Sequence, residues 1–278
     1  MLVFEIIRLF QSELGNFSKT PVLDAQVLVA FGLQKTRTWV ISHLEESLEA
    51  PQEKCLYDLL GKVRNGEPLP YIIGKWHFYH LEFFINQSVL IPRPETELLI
   101  EKAIAWLNAK PRKCLGVDIG TGSGCIAVTL ATQIKNLSMI ASDVSSAALQ
   151  VTKQNSLYHG VQSRLHLVQA DLFPPLSTRY DLICANLPYI PTSTLHGLQV
   201  FRREPSLALD GGPDGLQYLR PYLQSAVDYL KPAGLLLCEI EATQGFSVFE
   251  IAKQNFPHSD IAIHHDLAGH QRLLSIQN

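Results

Sequence analysis

The sequence lacks the patterns that mark a metal site, a membrane anchor or a disulfide scaffold. Its five cysteines are odd in number and widely separated, with no Cys-x-x-Cys pair, and it contains no His-Glu-x-x-His motif. No apolar run approaches membrane-spanning length, and the first residues have no basic lead-in to an apolar stretch. We therefore expect reduced core cysteines, no bound metal, no membrane contact and a cytoplasmic location.

Positive charge is also scarce. The net charge is -3 and the isoelectric point is near 6.4, so the chain lacks the excess of Lys and Arg found in proteins that bind nucleic-acid phosphates. We therefore expect no direct nucleic-acid binding. Hydrophobic residues make up 46% of the 278 positions, which is enough for sizeable cores in more than one domain.

Hydrophobic periodicity divides the chain into three parts. Residues up to about Gly66 have helical spacing, whereas the segment 75–90 is rich in aromatic and β-branched residues, with Asn86-Gln87-Ser88 near a turn. Beyond it, apolar strands alternate with helices, which is typical of a doubly wound α/β sheet. We predict a small helical domain over 1–74, a strand-rich, β-hairpin-like connector over 75–92 and the α/β domain over 93–278. The two predicted helix faces are Val3, Ile6, Ile7 and Phe10, and Leu56, Leu59, Leu60 and Val63.

A glycine-rich loop, Asp118-Ile119-Gly120-Thr121-Gly122-Ser123-Gly124, joins an apolar strand to an apolar helix. Ligands bind at such turns in open sheets, because glycine lets the backbone approach them closely. The dinucleotide fingerprint requires a third glycine where this chain has Cys125, which disfavours NAD. A carboxylate at Asp118 faces a pyrophosphate unfavourably but can receive the ammonium of a methionine-like group. Its alternative role is only to hold loop amides. The loop therefore favours S-adenosylmethionine.

Two later strand ends complete a predicted nucleoside site. Asp143 follows the predicted strand 139–142 at about twenty residues past the loop, the spacing of an acid that holds ribose hydroxyls. Its alternative role is to cap the helix that begins near Ser145. Asp171 follows the predicted strand 165–168 and can approach the adenine edge, with Leu172 as an apolar wall, or it is a simple turn aspartate.

The tetrapeptide Asn186-Leu187-Pro188-Tyr189 follows another apolar run and is predicted to lie beside the glycine loop. The Asn186 side-chain oxygen and the Leu187 carbonyl can each accept one N–H of a planar nitrogen and so aim its lone pair. Pro188 stiffens the turn, and Tyr189 can cover the flat face of the target group. The pattern indicates methyl transfer to a planar nitrogen, and an ordinary strand-ending turn is the alternative.

These motifs resemble the HemK/PrmC family, bacterial methyltransferases that modify the glutamine of the Gly-Gly-Gln motif in peptide-chain release factors. The resemblance covers nearly the whole chain. It implies a Rossmann-like S-adenosylmethionine-dependent domain, a release factor as protein partner, and glutamine N5 as the methylated atom. It also implies cofactor contacts from Gly120 to Gly124, Asp143, Leu172 and Asn186, and a glutamine pocket from Asn186 to Tyr189. The matching motifs are Val89-Leu90-Ile91-Pro92-Arg93-Pro94-Glu95-Thr96-Glu97, the glycine loop, the tetrapeptide, Glu204-Pro205 with Ala208-Leu209, Gly211-Gly212-Pro213-Asp214-Gly215-Leu216, and Asp266-Leu267-Ala268-Gly269 with Arg272.

Two positions depart from the family pattern. The family usually has a second proline where this chain has Leu187, and Asn-Leu-Pro-Tyr also looks like the form found in adenine-N6 dimethylases of ribosomal RNA. A glycine is also usual at the third position of Glu239-Ile240-Glu241. Leucine supplies the same carbonyl acceptor as proline, so glutamine stays the favoured target. The alternatives are an adenine-N6 methyltransferase acting on RNA or DNA, and a nucleoside-binding module whose site has lapsed.

The helical domain carries no chemistry of its own. We expect it either to dock a macromolecular partner or to pack as a lid on the α/β domain.

Overall fold

The computed structural model describes residues 1–15 and 18–278. The described chain forms two compact units, Met1–Lys75 and Trp76–Asn278. We predicted a connector over 75–92, of which Lys75 lies in the first unit and residues 76–92 lie in the second.

The first unit is helical. Both predicted apolar faces are confirmed, because Val3, Ile6 and Phe10 are fully buried on α1, and Leu56 and Leu60 on α4. Proline in the first turn of α2 and of α4 suits a helix start, where the missing N–H has no intrahelical partner in any case. The helices are α1 (Val3–Leu14), α2 (Pro21–Leu33), α3 (Arg37–Ser42), α4 (Ala50–Arg64) and α5 (Leu69–Ile73).

A two-stranded sheet precedes the large sheet: β1 (Lys75–Phe78) and β2 (Leu81–Phe84). Tyr79 and His80 form the turn between them with φ of 46° and 63°. Such a turn usually contains Asn-Gly, which explains why the sequence did not reveal it. The backbone N–H of Tyr79 donates to the Glu97 carboxylate at 3.0 Å, which holds the turn in place. The predicted turn near Asn86 is present as well, where the Val89 N–H donates to the Asn86 carbonyl at 3.2 Å.

The second unit contains a seven-stranded sheet in the order β5-β4-β3-β6-β7-β9-β8. Its strands are parallel except β9, which is antiparallel to both neighbours, so the predicted mostly parallel sheet is confirmed. Every residue of β6 is buried; since successive side chains point to opposite faces, both faces of the sheet are covered. The strands are β3 (Cys114–Ile119), β4 (Leu137–Asp143), β5 (Leu165–Gln169), β6 (Tyr180–Ala185), β7 (Leu230–Glu239), β8 (Asp260–His265) and β9 (Gln271–Gln277).

Strand order brings the two sequence motifs together. The strand before the glycine loop, β3, pairs directly with β6, whose end carries the tetrapeptide, and Ile119 lies opposite Ala185. The chain leaves β3 toward β4 on one side and enters β6 on the other, so both motifs lie at the point where strand order reverses. Helices of the second unit are α6 (Glu97–Asn108), α7 (Cys125–Gln133), α8 (Ser146–Tyr158), α9 (Thr192–Leu195), α10 (Leu219–Tyr229) and α11 (Gly245–Asn255), with 3-10 turns at Pro94–Thr96 and Ser206–Ala208.

Across the described ranges, no helix combines the length and apolar character that crossing a bilayer requires.

Candidate active site

A cavity of about 340 Å³ lies at the carboxyl ends of the central strands. This is a typical volume for a small-ligand site. The segments that follow strands β3, β4, β5 and β6 supply one part of its wall. The stretch 89–97, which resembles the family motif, supplies another. The lining residues are 119–123, Cys125, Ile126, 143–145, Ala147, Ala148, 170–172, 186–188, Tyr218, 88–90, Pro92, Arg93, Thr96, Pro205, Leu207 and Ala208.

The three glycines of the loop all adopt left-handed backbone conformations, but they serve different purposes. At Gly122, a Cβ would meet only the Gly120 carbonyl, at 4.0 Å, so the glycine leaves open space on the cavity wall. At Gly120, a Cβ would lie 3.3 Å from Leu187 Cδ2, which shows how closely the loop and the tetrapeptide approach. At Gly124, it would lie 2.7 Å from Thr152 Cγ2 on α8. Gly124 is not a lining residue, and its observed contact is with a neighbouring helix.

Asp118 is fully buried and braces the loop from within. Its Oδ2 accepts hydrogen bonds from the Thr121 hydroxyl at 2.6 Å and the Ala127 N–H at 3.3 Å. Its Oδ1 has no hydrogen-bond partner among the described residues, and burial raises the pKa of Asp118 to about 7. The carboxylate does not line the cavity, so its predicted contact with the ammonium group stays a prediction.

Loop residues Thr121 and Ser123 line the cavity although both are nearly buried. The Thr121 N–H donates to the Ser142 carbonyl at 2.9 Å, which ties the loop to the end of β4. The Ser123 carbonyl accepts from Asn155 Nδ2 on α8 at 2.8 Å. The loop is therefore held on both sides before any ligand arrives.

Asp143 holds both the glycine loop and the start of α8, and its predicted contact with ribose hydroxyls stays a prediction. Its Oδ1 accepts from the Ser145 N–H and its Oδ2 from the Gly122 N–H, each at 2.9 Å, while the Ser145 hydroxyl caps α8 at Ala148. Asp143 also lines the cavity. Since each carboxylate oxygen has a second lone pair, the residue can still accept hydrogen bonds from ribose hydroxyls.

Asp171 and Leu172 both reach the cavity, after the end of β5. Leu172 has φ of 59°, a conformation that costs a residue with a side chain about 1–2 kcal/mol. The Ser142 hydroxyl donates to the Leu172 carbonyl at 3.0 Å and so holds the strained turn. Strain of this kind is concentrated at ligand sites, and here it turns an apolar side chain onto the wall.

The tetrapeptide presents two oxygen acceptors. Asn186, Leu187 and Pro188 line the cavity. Among the described residues, no donor bonds the Asn186 Oδ1 or the Leu187 carbonyl, whereas Asn186 Nδ2 donates to Thr96 Oγ1 at 3.1 Å. Tyr189 is not a lining residue: its hydroxyl donates to Glu239 Oε1 at 3.0 Å, and its predicted stacking role stays a prediction.

Sequence reasoning gave no role to Thr96 or Glu239. Thr96 Oγ1 donates to Glu239 Oε2 at 2.6 Å, and Glu239 is 2% exposed at the end of β7. Burial raises the pKa of Glu239, and the hydrogen bonds from Thr96 and Tyr189 oppose that rise. The sequence signal for Glu239 was that an acidic residue ends an apolar strand, β7, which pairs with β6. Thr96 had none beyond its place in the family stretch.

Arg93 lines the cavity and forms an ion pair with Glu204, which precedes the lining residue Pro205. Arg93 Nη2 and Glu204 Oε1 are 2.5 Å apart, and the Ile91 N–H donates to Glu204 Oε2 at 3.1 Å. Glu204 is 6% exposed. The family-specific stretch is therefore fixed to the cavity by an ion pair between residues far apart in the sequence.

The residues present fit S-adenosylmethionine. Asp143 offers acceptors for ribose hydroxyls, Leu172 offers an apolar wall for a purine, and Gly122 leaves room for close approach.

Comparison with known proteins identifies the family. The family model of the PrmC N-terminal domain matches residues 5–74, and that of the methyltransferase small domain matches residues 95–199. The release factor glutamine methyltransferase of Moorella thermoacetica is 37% identical over 254 residues, covering 91% of this chain and 89% of its own length. The enzyme of the same name from Thermosynechococcus vestitus is 41% identical over 215 residues, covering 76% and 74%.

A solved structure supports the fold. The ribosomal protein L11 methylase of Lactobacillus delbrueckii subsp. bulgaricus superposes with a TM-score of 0.51 at 18% identity, covering 70% of this chain and 83% of that chain. Sequence identity over most of both chains, together with the two domain matches, decides the assignment: the chain belongs to the release factor glutamine methyltransferase family.

Proposed function

We propose that the protein methylates N5 of the glutamine in the Gly-Gly-Gln motif of peptide-chain release factors. Membership of the family makes it an S-adenosylmethionine-dependent methyltransferase. One observation carries the choice of acceptor: Asn186 and Leu187 both line the cavity, and neither Asn186 Oδ1 nor the Leu187 carbonyl has a donor from the described protein. Two adjacent acceptors match the two N–H groups of a primary amide.

The cofactor half of the site consists of the glycine loop, Asp143 and Leu172. Asp143 would accept hydrogen bonds from the ribose hydroxyls, and Leu172 with Ala170 would pack against the purine; all three residues line the cavity. When bound, S-adenosylmethionine supplies an electrophilic methyl group on a sulfonium sulfur.

The acceptor half must overcome the weak nucleophilicity of an amide, whose nitrogen lone pair is delocalised into the carbonyl. Asn186 and Leu187 each accept one N–H, which fixes the plane of the amide and directs the lone pair at the methyl carbon. As the new N–C bond forms, the bond between the methyl carbon and the sulfonium sulfur breaks and leaves a neutral thioether. One amide proton becomes acidic in this step and leaves to solvent, so no strong base is required. Orientation is therefore the main contribution of the protein to the rate.

We infer that the enzyme acts in the cytoplasm, where release factors work, and that it contacts protein rather than nucleic acid. The net charge of -3 supports this preference. The two alternatives from the sequence predict different products: methylated adenine, or no product despite cofactor binding.

The test is transfer of labelled methyl from S-adenosylmethionine to a purified release factor. Its Gln-to-Asn variant in the Gly-Gly-Gln motif and ribosomal RNA are the controls. We expect label on that glutamine alone, located by mass spectrometry. Label on RNA adenine, or no label while the cofactor still binds, would overturn the proposal.

Asn186→Ala provides the matching test on the enzyme. The substitution removes one of the two acceptors, and we expect at least a hundredfold fall in kcat with cofactor affinity retained. Undiminished turnover would show that Asn186 does not hold the amide.

A further inference from the structure

A line of buried hydrogen bonds leads from Glu239 to the acceptor amide of the site. The Glu239 carboxylate accepts from the Thr96 hydroxyl at 2.6 Å and from the Tyr189 hydroxyl at 3.0 Å. The Thr96 oxygen in turn faces Asn186 Nδ2 at 3.1 Å. Thr96 and Glu239 are each 2% exposed, so water cannot easily replace either partner.

The chemistry of these groups determines which atom donates and which accepts in each hydrogen bond. While the Glu239 carboxylate is ionised it has no proton to donate, so both hydroxyls donate to it. Thr96 has a single hydroxyl proton, and once that proton points at Glu239, its oxygen can only accept. The Asn186 amide must then present its NH₂ to Thr96 and its oxygen to the cavity.

The opposite orientation of the amide is disfavoured. It would set Asn186 Oδ1 against the lone pairs of Thr96 Oγ1, and one hydrogen bond in a buried line would be lost. It would also turn Nδ2–H toward the N–H of the substrate amide, which repels the group that the site has to hold.

We infer that Glu239 and Thr96 are positioning residues that fix the Asn186 amide with its oxygen toward the substrate nitrogen. This inference rests on the proposed function. Neither residue touches the reacting atoms; both act through Asn186.

Glu239→Gln separates this role from simple packing. The replacement has nearly the same shape, but its NH₂ can donate to Thr96 and release the threonine proton toward Asn186 Oδ1. Both orientations of the Asn186 amide then become available. We expect kcat to fall about 10- to 100-fold, the range expected when a reacting group is misplaced, with an unchanged dissociation constant for S-adenosylhomocysteine.

Two substitutions at Thr96 test the hydroxyl itself. Thr96→Val removes it at nearly constant volume and is expected to lower kcat over the same range. Thr96→Ser restores the hydroxyl and is expected to recover kcat to within about threefold of wild type. A fall in kcat for Thr96→Val with recovery in Thr96→Ser is not expected if Thr96 acts through packing alone, because valine is closer to threonine in volume than serine is.

Glu241→Gln is the matched control. It makes the same chemical change two residues further along, where the Glu241 carboxylate accepts from the Thr243 N–H at 2.7 Å and has no bond to Thr96. We expect wild-type kcat from this variant.

The experiment measures methylation of a purified release factor by the full chain, with cofactor affinity measured by calorimetry on every variant. Wild-type enzyme that labels no glutamine refutes the proposed function. Wild-type enzyme that labels glutamine, with Glu239→Gln and Thr96→Val equally active, refutes the positioning role alone. A parallel loss of cofactor affinity and kcat in Glu239→Gln would also refute it, because the effect would then be structural.

Discussion

Replacing Gly124 by alanine tests whether this glycine serves helix packing rather than ligand binding. Its φ of 80° lies in the left-handed region, which costs an L-residue about 1–2 kcal/mol. The new Cβ would also lie 2.7 Å from Thr152 Cγ2 and 3.3 Å from Thr152 Oγ1. Overpacking of this kind costs about 1–3 kcal/mol. Together they predict a fall of about 2–5 kcal/mol in the free energy of unfolding.

The substitution is also expected to disturb the loop. Thr152 Oγ1 donates to the Gly122 carbonyl at 2.9 Å, so a shift of Thr152 moves the part of the loop that lines the cavity. We therefore expect weaker binding of S-adenosylhomocysteine in calorimetry, although Gly124 itself does not line the cavity.

Gly160→Ala is the control for backbone strain. Gly160 has φ of 68°, and a Cβ there would have no neighbour within 4 Å, so this variant is expected to lose only about 1–2 kcal/mol. Adding Thr152→Ser to Gly124→Ala removes the clashing methyl and is expected to restore part of the difference. Equal losses for Gly124→Ala and Gly160→Ala in urea unfolding would refute the packing argument.

Three further changes have defined outcomes. Asp143→Asn removes the charge that accepts the Gly122 N–H and is expected to weaken cofactor binding about tenfold in calorimetry; unchanged affinity would contradict its ribose role. Burial alone would raise the pKa of Asp181, but hydrogen bonds led by Arg112 hold it below 3.8. Its stabilisation is therefore present above pH 3.8 and lost as pH falls through the folded-state pKa, so urea titrations should show the stability gap between wild type and Asp181→Asn narrowing in acid. Glu204→Ala is expected to lower the free energy of unfolding by about 2 kcal/mol in urea titrations. A change near zero would show that the Arg93–Glu204 ion pair does not stabilise the fold.

Local pattern was enough to predict the sheet and the positions of both motifs. Apolar runs located the strands, and the rule that ligands bind where strand order reverses placed Asn186 beside the glycine loop. The spacing after the loop placed Asp143 at the cavity, which it lines, and its ribose contact stays a prediction. These inferences succeed because each depends on residues close in sequence or on a general property of parallel sheets.

Contacts between distant segments were not predictable in the same way. Thr96 is separated from Asn186 by 90 residues and from Glu239 by 143, and no local pattern joins them. The Tyr79–His80 turn lacks the residues that usually mark a hairpin turn. It is held by the Glu97 carboxylate, which lies 18 residues further along the chain. Gly124 was predicted as a ligand contact, and only the folded chain shows that Thr152 also lies against it.

The two halves of the site therefore differ in how much of the chain each needs. The proposed cofactor half draws mainly on segments between β3 and the turn after β5, whereas the orientation that we infer for the Asn186 amide depends on Glu239 at the end of β7. During synthesis, residues 118–172 emerge well before Glu239. A growing chain thus acquires the parts of its nucleotide site first, and the ability to hold a substrate amide comes with the later strands.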